Sequence, residues 1–117
     1  MTITVTLPIR TESEANLREH WAKKSRRARG QRATARMILG QPQYAMLRRH
    51  TGRFEITIIR IGAKYLDPDN LANSSKHVQD GIADALGIDD GSSRIMWTYA
   101  QEKGKPKEHA VRVEIKY

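Results

Sequence analysis

Apolar residues alternate with threonine at Ile3, Val5 and Leu7, which predicts a strand with one buried face, ended by Pro8. Thr11-Glu-Ser-Glu14 has capping-box spacing, so a helix is expected to start near Glu12 and run to about Leu39. Its apolar stripe is thin: Leu17, Trp21, Ala28, Ala35 and Leu39. Gly30 weakens its continuity by roughly 1 kcal/mol relative to Ala, and Gly40 and Pro42 serve as stop signals. Residues 43–52 are ambiguous, with Tyr44, Met46 and Leu47 suited to a short helical turn.

Phe54, Ile56 and Ile58 alternate with Glu55 and Thr57, the mark of a second strand. Gly62 to Pro68 reads as a loop. Leu71, Ser75, Val78, Ile82 and Ala85 or Leu86 then form the cleanest amphipathic stripe in the chain, with Gly87 as the residue that closes the helix. Asp89 to Ser92 reads as a turn. Ile95–Ala100 and Ala110–Tyr117 are expected to be the last two strands, joined through Gly104-Lys-Pro106. The sum is a single domain over residues 1–117. Its expected class is α+β, a small mixed β-sheet packed by two helices in the order β-α-β-α-β-β.

Composition narrows the class. The chain has 117 residues, 38% of them hydrophobic, and no cysteine, which removes disulfide scaffolds, thiolate metal sites and Cys nucleophiles. A core this modest leaves a thin stability margin, and a homodimer is a common remedy. No apolar run reaches the roughly 18–20 residues of a membrane span, and the N-terminus lacks the pattern of a signal peptide. A soluble cytoplasmic protein with no membrane partner is expected.

The net charge of +8 is concentrated. Residues 10–49 hold eleven Lys/Arg against three Glu, a surplus of eight, while residues 50–117 hold ten of each sign. Lys23, Lys24, Arg26, Arg27, Arg29, Arg32 and Arg36 crowd the predicted first helix. Such a local positive field attracts polyanions, and nucleic acid is the expected partner. A merely solubilising helix face is the competing account.

Leu66-Asp67-Pro68-Asp69-Asn70-Leu71 is the most informative segment. Asp67 suits an N-cap, Pro68 the first helical position, and Asp69 the positive end of the helix dipole. The same two carboxylates, if projected to one side, would repel each other unless a cation sat between them. Mg2+, which takes hard oxygen ligands, is the natural candidate. A calcium loop is not competitive, because the required glycine and alternate oxygen donors are missing. Asp69, Asn73, Lys76 and Asp80 form a polar stripe on the predicted helix, and the Lys76 ammonium is expected to reach back toward the acids. Asp89 and Asp90 form an ordinary turn or supply a third acid. One straight helix from Asp69 to Leu86 would be about 25 Å long. Asp90 would then meet Asp67 and Asp69 either through a loop folded far back or across a two-fold dimer with antiparallel copies of this helix.

Asp67-Pro-Asp-Asn-Leu71, Lys76, Asp80-Gly-Ile-Ala-Asp-Ala-Leu86 and Ile88-Asp-Asp90 together resemble the RusA-type Holliday-junction resolvases, small dimeric endonucleases of prophage and phage origin. The resemblance follows the order of elements along essentially the whole chain, including a basic segment containing His20-Trp21. It implies Mg2+-dependent cleavage of four-way DNA junctions, with Mn2+ as an alternative metal. It carries metal-binding and catalytic roles to Asp67, Asp69 and Asp90, with Asp89 as the alternative to Asp90. In the family's best-known pattern the catalytic lysine lies four residues after the second acid, where this chain has Asn73. The role falls here on Lys76, whose spacing to Asp80 agrees with the family.

The mechanism expected from these residues is metal-assisted hydrolysis, with the acids holding Mg2+ and Lys76 offsetting charge on the phosphate. His20, His50, His77 and His109 are dispersed and read as structural or surface residues. Two other functions fit the same sequence. One is a non-catalytic basic DNA-binding module whose acids only cap and turn; the other is a metal-dependent nuclease acting on flaps or other branched DNA.

Overall fold

The N-terminal alternation becomes β1 (Thr2–Leu7), with Val5 and Leu7 buried and its threonines exposed. The structure, a computed structural model, describes residues 1–11 and 21–117. The expected helix start near Glu12, with Glu14, Leu17 and His20, lies outside the described residues.

The basic segment forms α1 (Trp21–Leu39), which runs through Gly30 without interruption. Its buried stripe is Gln31, Ala35 and Leu39. Trp21, expected on that stripe, is 74% exposed. The ambiguous stretch is helical: a 3-10 turn at Pro42–Tyr44 leads into α2 (Ala45–Arg49), which buries Leu47.

Three more strands complete the sheet: β2 (Phe54–Gly62), β3 (Ile95–Lys103) and β4 (Ala110–Lys116). Their order is β1-β4-β2-β3. β4 is antiparallel to both β1 and β2, and β2 is parallel to β3, so the sheet is mixed. A parallel pair needs a crossover connection, and here it consists of α3 (Pro68–Ser74) and α4 (Lys76–Leu86). Among the described residues the helices therefore number four, not two.

The expected single helix after Pro68 breaks at Ser75, and the cause is local. The hydroxyls of Ser74 and Ser75 both donate to the Leu71 carbonyl, at 2.8 and 3.1 Å. Serine side chains that bond backward in this way compete with the helical ladder. The Ser75 N–H turns instead to Ala72 O at 3.2 Å. At the far end, Gly87 adopts the left-handed φ of 71° and closes α4, as its position in the sequence indicates.

One core unites the helices with the inward face of the sheet. Ala35 and Leu39 of α1 and Val78 and Ile82 of α4 pack with Phe54, Ile56 and Ile58 of β2 and Val111, Val113 and Ile115 of β4. α1 and α4 approach closely at Gly81, where an added Cβ would lie 2.3 Å from the Arg32 carbonyl oxygen and 2.8 Å from the Ala35 Cβ. Among the described residues, no helix is long and apolar enough to cross a membrane.

Candidate functional site

The crossover between β2 and β3 carries every acid singled out in the sequence. Asp67 is the N-cap of α3: its Oδ1 accepts the Asn70 backbone N–H at 3.0 Å, and its Oδ2 accepts the Asn70 side-chain amide at 3.1 Å. Pro68 opens the helix and Asp69 sits in its first turn. The capping account of this motif is therefore realised in full. It leaves the carboxylates accessible, since Asp67 and Asp69 are both exposed. A carboxylate has about four lone-pair sites, so Asp67 keeps acceptor capacity beyond its two bonds to Asn70.

Lys76 opens α4, and its ammonium does not reach back toward Asp67 and Asp69 as expected. It runs the other way, to Asp80 Oδ1 at 3.0 Å and Asp90 Oδ2 at 2.6 Å. Both contacts are within one chain. The turn after α4 folds back along the helix, so Asp90 joins the Lys76–Asp80 side of α4 without a second subunit. Asp90 holds the Lys76 pKa up, with Asp80 adding to the effect. Lys76 in turn lowers the Asp90 carboxyl below its usual range.

The two acids of the turn have different partners. Asp89 Oδ1 accepts the Gly91 N–H at 2.9 Å and serves the turn itself. Asp90 points to Lys76, and its own carbonyl accepts the Trp97 indole N–H at 2.9 Å. Of the pair, Asp90 is the acid that joins the lysine.

A cavity of about 220 Å³ lies beside this cluster, lined by Arg32 of α1 and by Asp80, Asp84, Asp89 and Asp90. Arg32 grips Asp84 as a fork, Nε to Oδ2 at 2.6 Å and Nη2 to Oδ1 at 2.9 Å. That pairing lowers the Asp84 pKa and raises that of Arg32. It also brings the basic helix against the acidic one. α1 has seven Lys/Arg and no Asp or Glu. Lys23, Arg26, Arg29, Arg32 and Arg36 are exposed along it, while Lys24 and Arg27 are half-buried.

The acid set is chemically suited to a hard divalent cation. Mg2+ commonly takes one or two protein carboxylates and completes its shell with water and phosphate oxygens. Asp67 and Asp69 supply two exposed carboxylates of that kind. Among the described residues, no group of three or more acids or histidines is arranged to hold a metal. Asp90 is engaged by Lys76 instead. Of the described histidines, His50 has a clear structural setting: its Nε2 lies 3.0 Å from the Arg53 carbonyl, and its ring packs edge-on against Phe54 and Tyr117.

Several residues that hold this region escaped the sequence reading. Gln101 of β3 binds the Leu66 backbone twice: its Oε1 accepts the Leu66 N–H at 2.9 Å and its Nε2 donates to the Leu66 carbonyl at 2.7 Å. The Tyr99 hydroxyl donates to Gln79 Oε1 on α4. Buried Arg60 of β2 donates to the Lys64 carbonyl at 2.7 Å, holding the loop that leads to Asp67. The available signal was a run of hydrogen-bonding side chains at alternate positions of a strand. Hydrophobic periodicity alone does not register it. Among known proteins, no family model matches the chain, and no curated protein matches it either.

Proposed function

We propose that the protein is a Mg2+-dependent, structure-selective endonuclease that resolves four-way DNA junctions by paired nicks, acting as a homodimer. The observation that carries this reading is the adjacency of two opposite fields. A helix with seven basic and no acidic residues packs against the helix that bears Lys76 and Asp80 and is flanked by Asp67, Asp69 and Asp90. Basic side chains along α1 would track phosphates and position DNA without reading its sequence. The neighbouring acids would hold the metal at the phosphate so placed. The resemblance of Asp67-Pro-Asp-Asn-Leu71, Lys76 and Asp90 to the junction resolvases supplies the choice of substrate.

In this mechanism Asp67 and Asp69 would hold Mg2+, with Asp90 as the third acid. Such an ion, when bound, would supply an activated water and offset negative charge at phosphorus. Lys76, held by Asp80 and Asp90, would contribute a fixed positive charge to a phosphate that lies along that side of α4. Its two carboxylate partners keep it protonated, so it acts as a cation and not as a base.

The decisive test is cleavage of a synthetic four-way junction with and without Mg2+, comparing wild type with Asp69→Asn. Symmetric metal-dependent nicks that disappear in the variant are expected. Junction binding without any cleavage would favour a non-catalytic DNA-binding module. Equal cleavage of flaps or linear duplex would replace the junction as substrate.

A further inference from the structure

β3 is an edge strand, paired on one side with β2. Ile95, Trp97, Tyr99 and Gln101 alternate along it, and they stand beside Phe54, Ile56, Ile58 and Arg60 of β2 in the parallel register. Alternate residues of a strand share a face, so all four point to the side that packs against the helices. Ile95 is ordinary core. The other three have an apolar or flexible body and a polar tip, and each tip meets a different part of the crossover.

The Trp97 indole N–H binds the carbonyl of Asp90. The Tyr99 hydroxyl binds Gln79, which sits between Lys76 and Asp80 on α4. Gln101 binds both backbone groups of Leu66, the residue before Asp67. From Trp97 to Gln101 the strand advances about 13 Å, at roughly 3.3 Å per residue. The anchors therefore follow a fixed order: the Asp90 turn, then the Lys76 turn of α4, then the loop carrying Asp67 and Asp69.

We propose that Trp97, Tyr99 and Gln101 are positioning residues, a three-point ruler on β3 that sets the spacing of Asp90, Lys76 and Asp67–Asp69 within a single chain. The proposal rests on the endonuclease reading for its consequence in catalysis, but the ruler itself is a property of the fold. Of the three anchors, Gln101 is the most specific. A side-chain amide that satisfies the N–H and the C=O of one residue holds the two peptide groups that flank it, Tyr65–Leu66 and Leu66–Asp67, as a neighbouring strand would. Burial raises the Tyr99 phenol pKa, which keeps its hydroxyl proton available to Gln79.

The test uses Gln101→Ala and Trp97→Phe in the full chain. The first removes both bonds to Leu66. The second keeps an aromatic ring and removes only the indole donor. In Gln101→Ala the Leu66 amide should exchange with solvent at least tenfold faster, while amides of β2 and β4 keep wild-type rates. The carboxyl carbon resonances of Asp67 and Asp69 should shift, and in Trp97→Phe that of Asp90 should shift instead. With an active wild type, both variants should cut a junction about 10- to 100-fold more slowly, with unchanged junction affinity and a higher Mg2+ requirement. A Gln101→Ala chain with a rapidly exchanging Leu66 amide and undiminished cleavage would overturn the positioning role. So would unmoved carboxyl resonances. A wild type that cleaves no DNA would remove the endonuclease reading alone; the exchange and carboxyl measurements would still decide the ruler.

Discussion

Lys76 and Asp90 are fourteen residues apart in the chain, and their charged atoms are 2.6 Å apart in space. The pairing follows from how the crossover folds. Lys76 is the first residue of α4, and the turn after Gly87 brings Asp90 back to it. Each group shifts the other's ionisation in the direction that preserves the pair.

That pairing has a defined pH window. Asp90 is held below the ordinary carboxylate value of about 3.9, so its contribution is present above that value and lost as pH falls through the depressed one. Lys76 is held above the ordinary value of about 10.4, so its contribution is present below that value and lost only as pH rises through the raised one. Between about pH 5 and 9 neither group titrates. The pH–rate profile of junction cleavage should therefore show no inflection from Lys76 in that range, and Lys76→Arg should keep its shape. A basic limb present in wild type and absent in Lys76→Arg would show that the lysine loses its proton during turnover.

Asp67 has two separable duties. Asn is as good an N-cap as Asp, so Asp67→Asn should retain the bond from the Asn70 N–H and leave the melting temperature nearly unchanged. Asp67→Ala should lose the cap and about 1 kcal/mol of stability. Both should lose Mg2+-dependent cleavage. Thermal denaturation run alongside the cleavage assay separates the two duties.

The closeness of α1 and α4 depends on the missing side chain at Gly81. A methyl group there meets backbone as well as a side chain, so the helices must part. Gly81→Ala should destabilise the protein by about 1–3 kcal/mol, the usual range for overpacking, in spite of the better helix propensity of alanine. Urea denaturation of the two proteins measures the difference.

The basic residues of α1 should not contribute equally to DNA binding. Both Arg29 and Arg32 are exposed, but Arg32 is engaged by Asp84 through two bonds. Removing one cation that neutralises a phosphate should flatten the slope of log affinity against log salt by about 0.9 on duplex arms. Arg29→Gln should approach that change, and Arg32→Gln should fall well short of it. Binding titrations at several salt concentrations give the slopes.

The strands were legible because a half-buried sheet has a period of two, and Ile3-Val5-Leu7 and Val111-Val113-Ile115 keep it without error. The Asp67–Pro68 helix start was legible because N-cap chemistry is local. The break at Ser75 was not, because Leu71, Ser75 and Val78 stay in phase as an apolar stripe while the two serine hydroxyls divert the backbone. The helix length set Asp90 far from Asp67 and Asp69, but it did not show that the turn after Gly87 folds back along α4 and brings Asp90 to Lys76. The exposure of Trp21 reflects a similar shortfall: a stripe of residues four and seven apart marks a helical face without saying which part of it is covered.

Among the described residues, β3 has a hydrogen-bonded neighbour on one side and none of the sheet on the other. Proteins can open locally at a lower free energy than global unfolding. Because the same strand carries the anchors for the Asp90 turn, for α4 and for the Leu66 loop, fraying of that one edge would release all three together. Opening of β3 would thus dissolve the spacing of the site while β1, β4 and β2 keep their pairing.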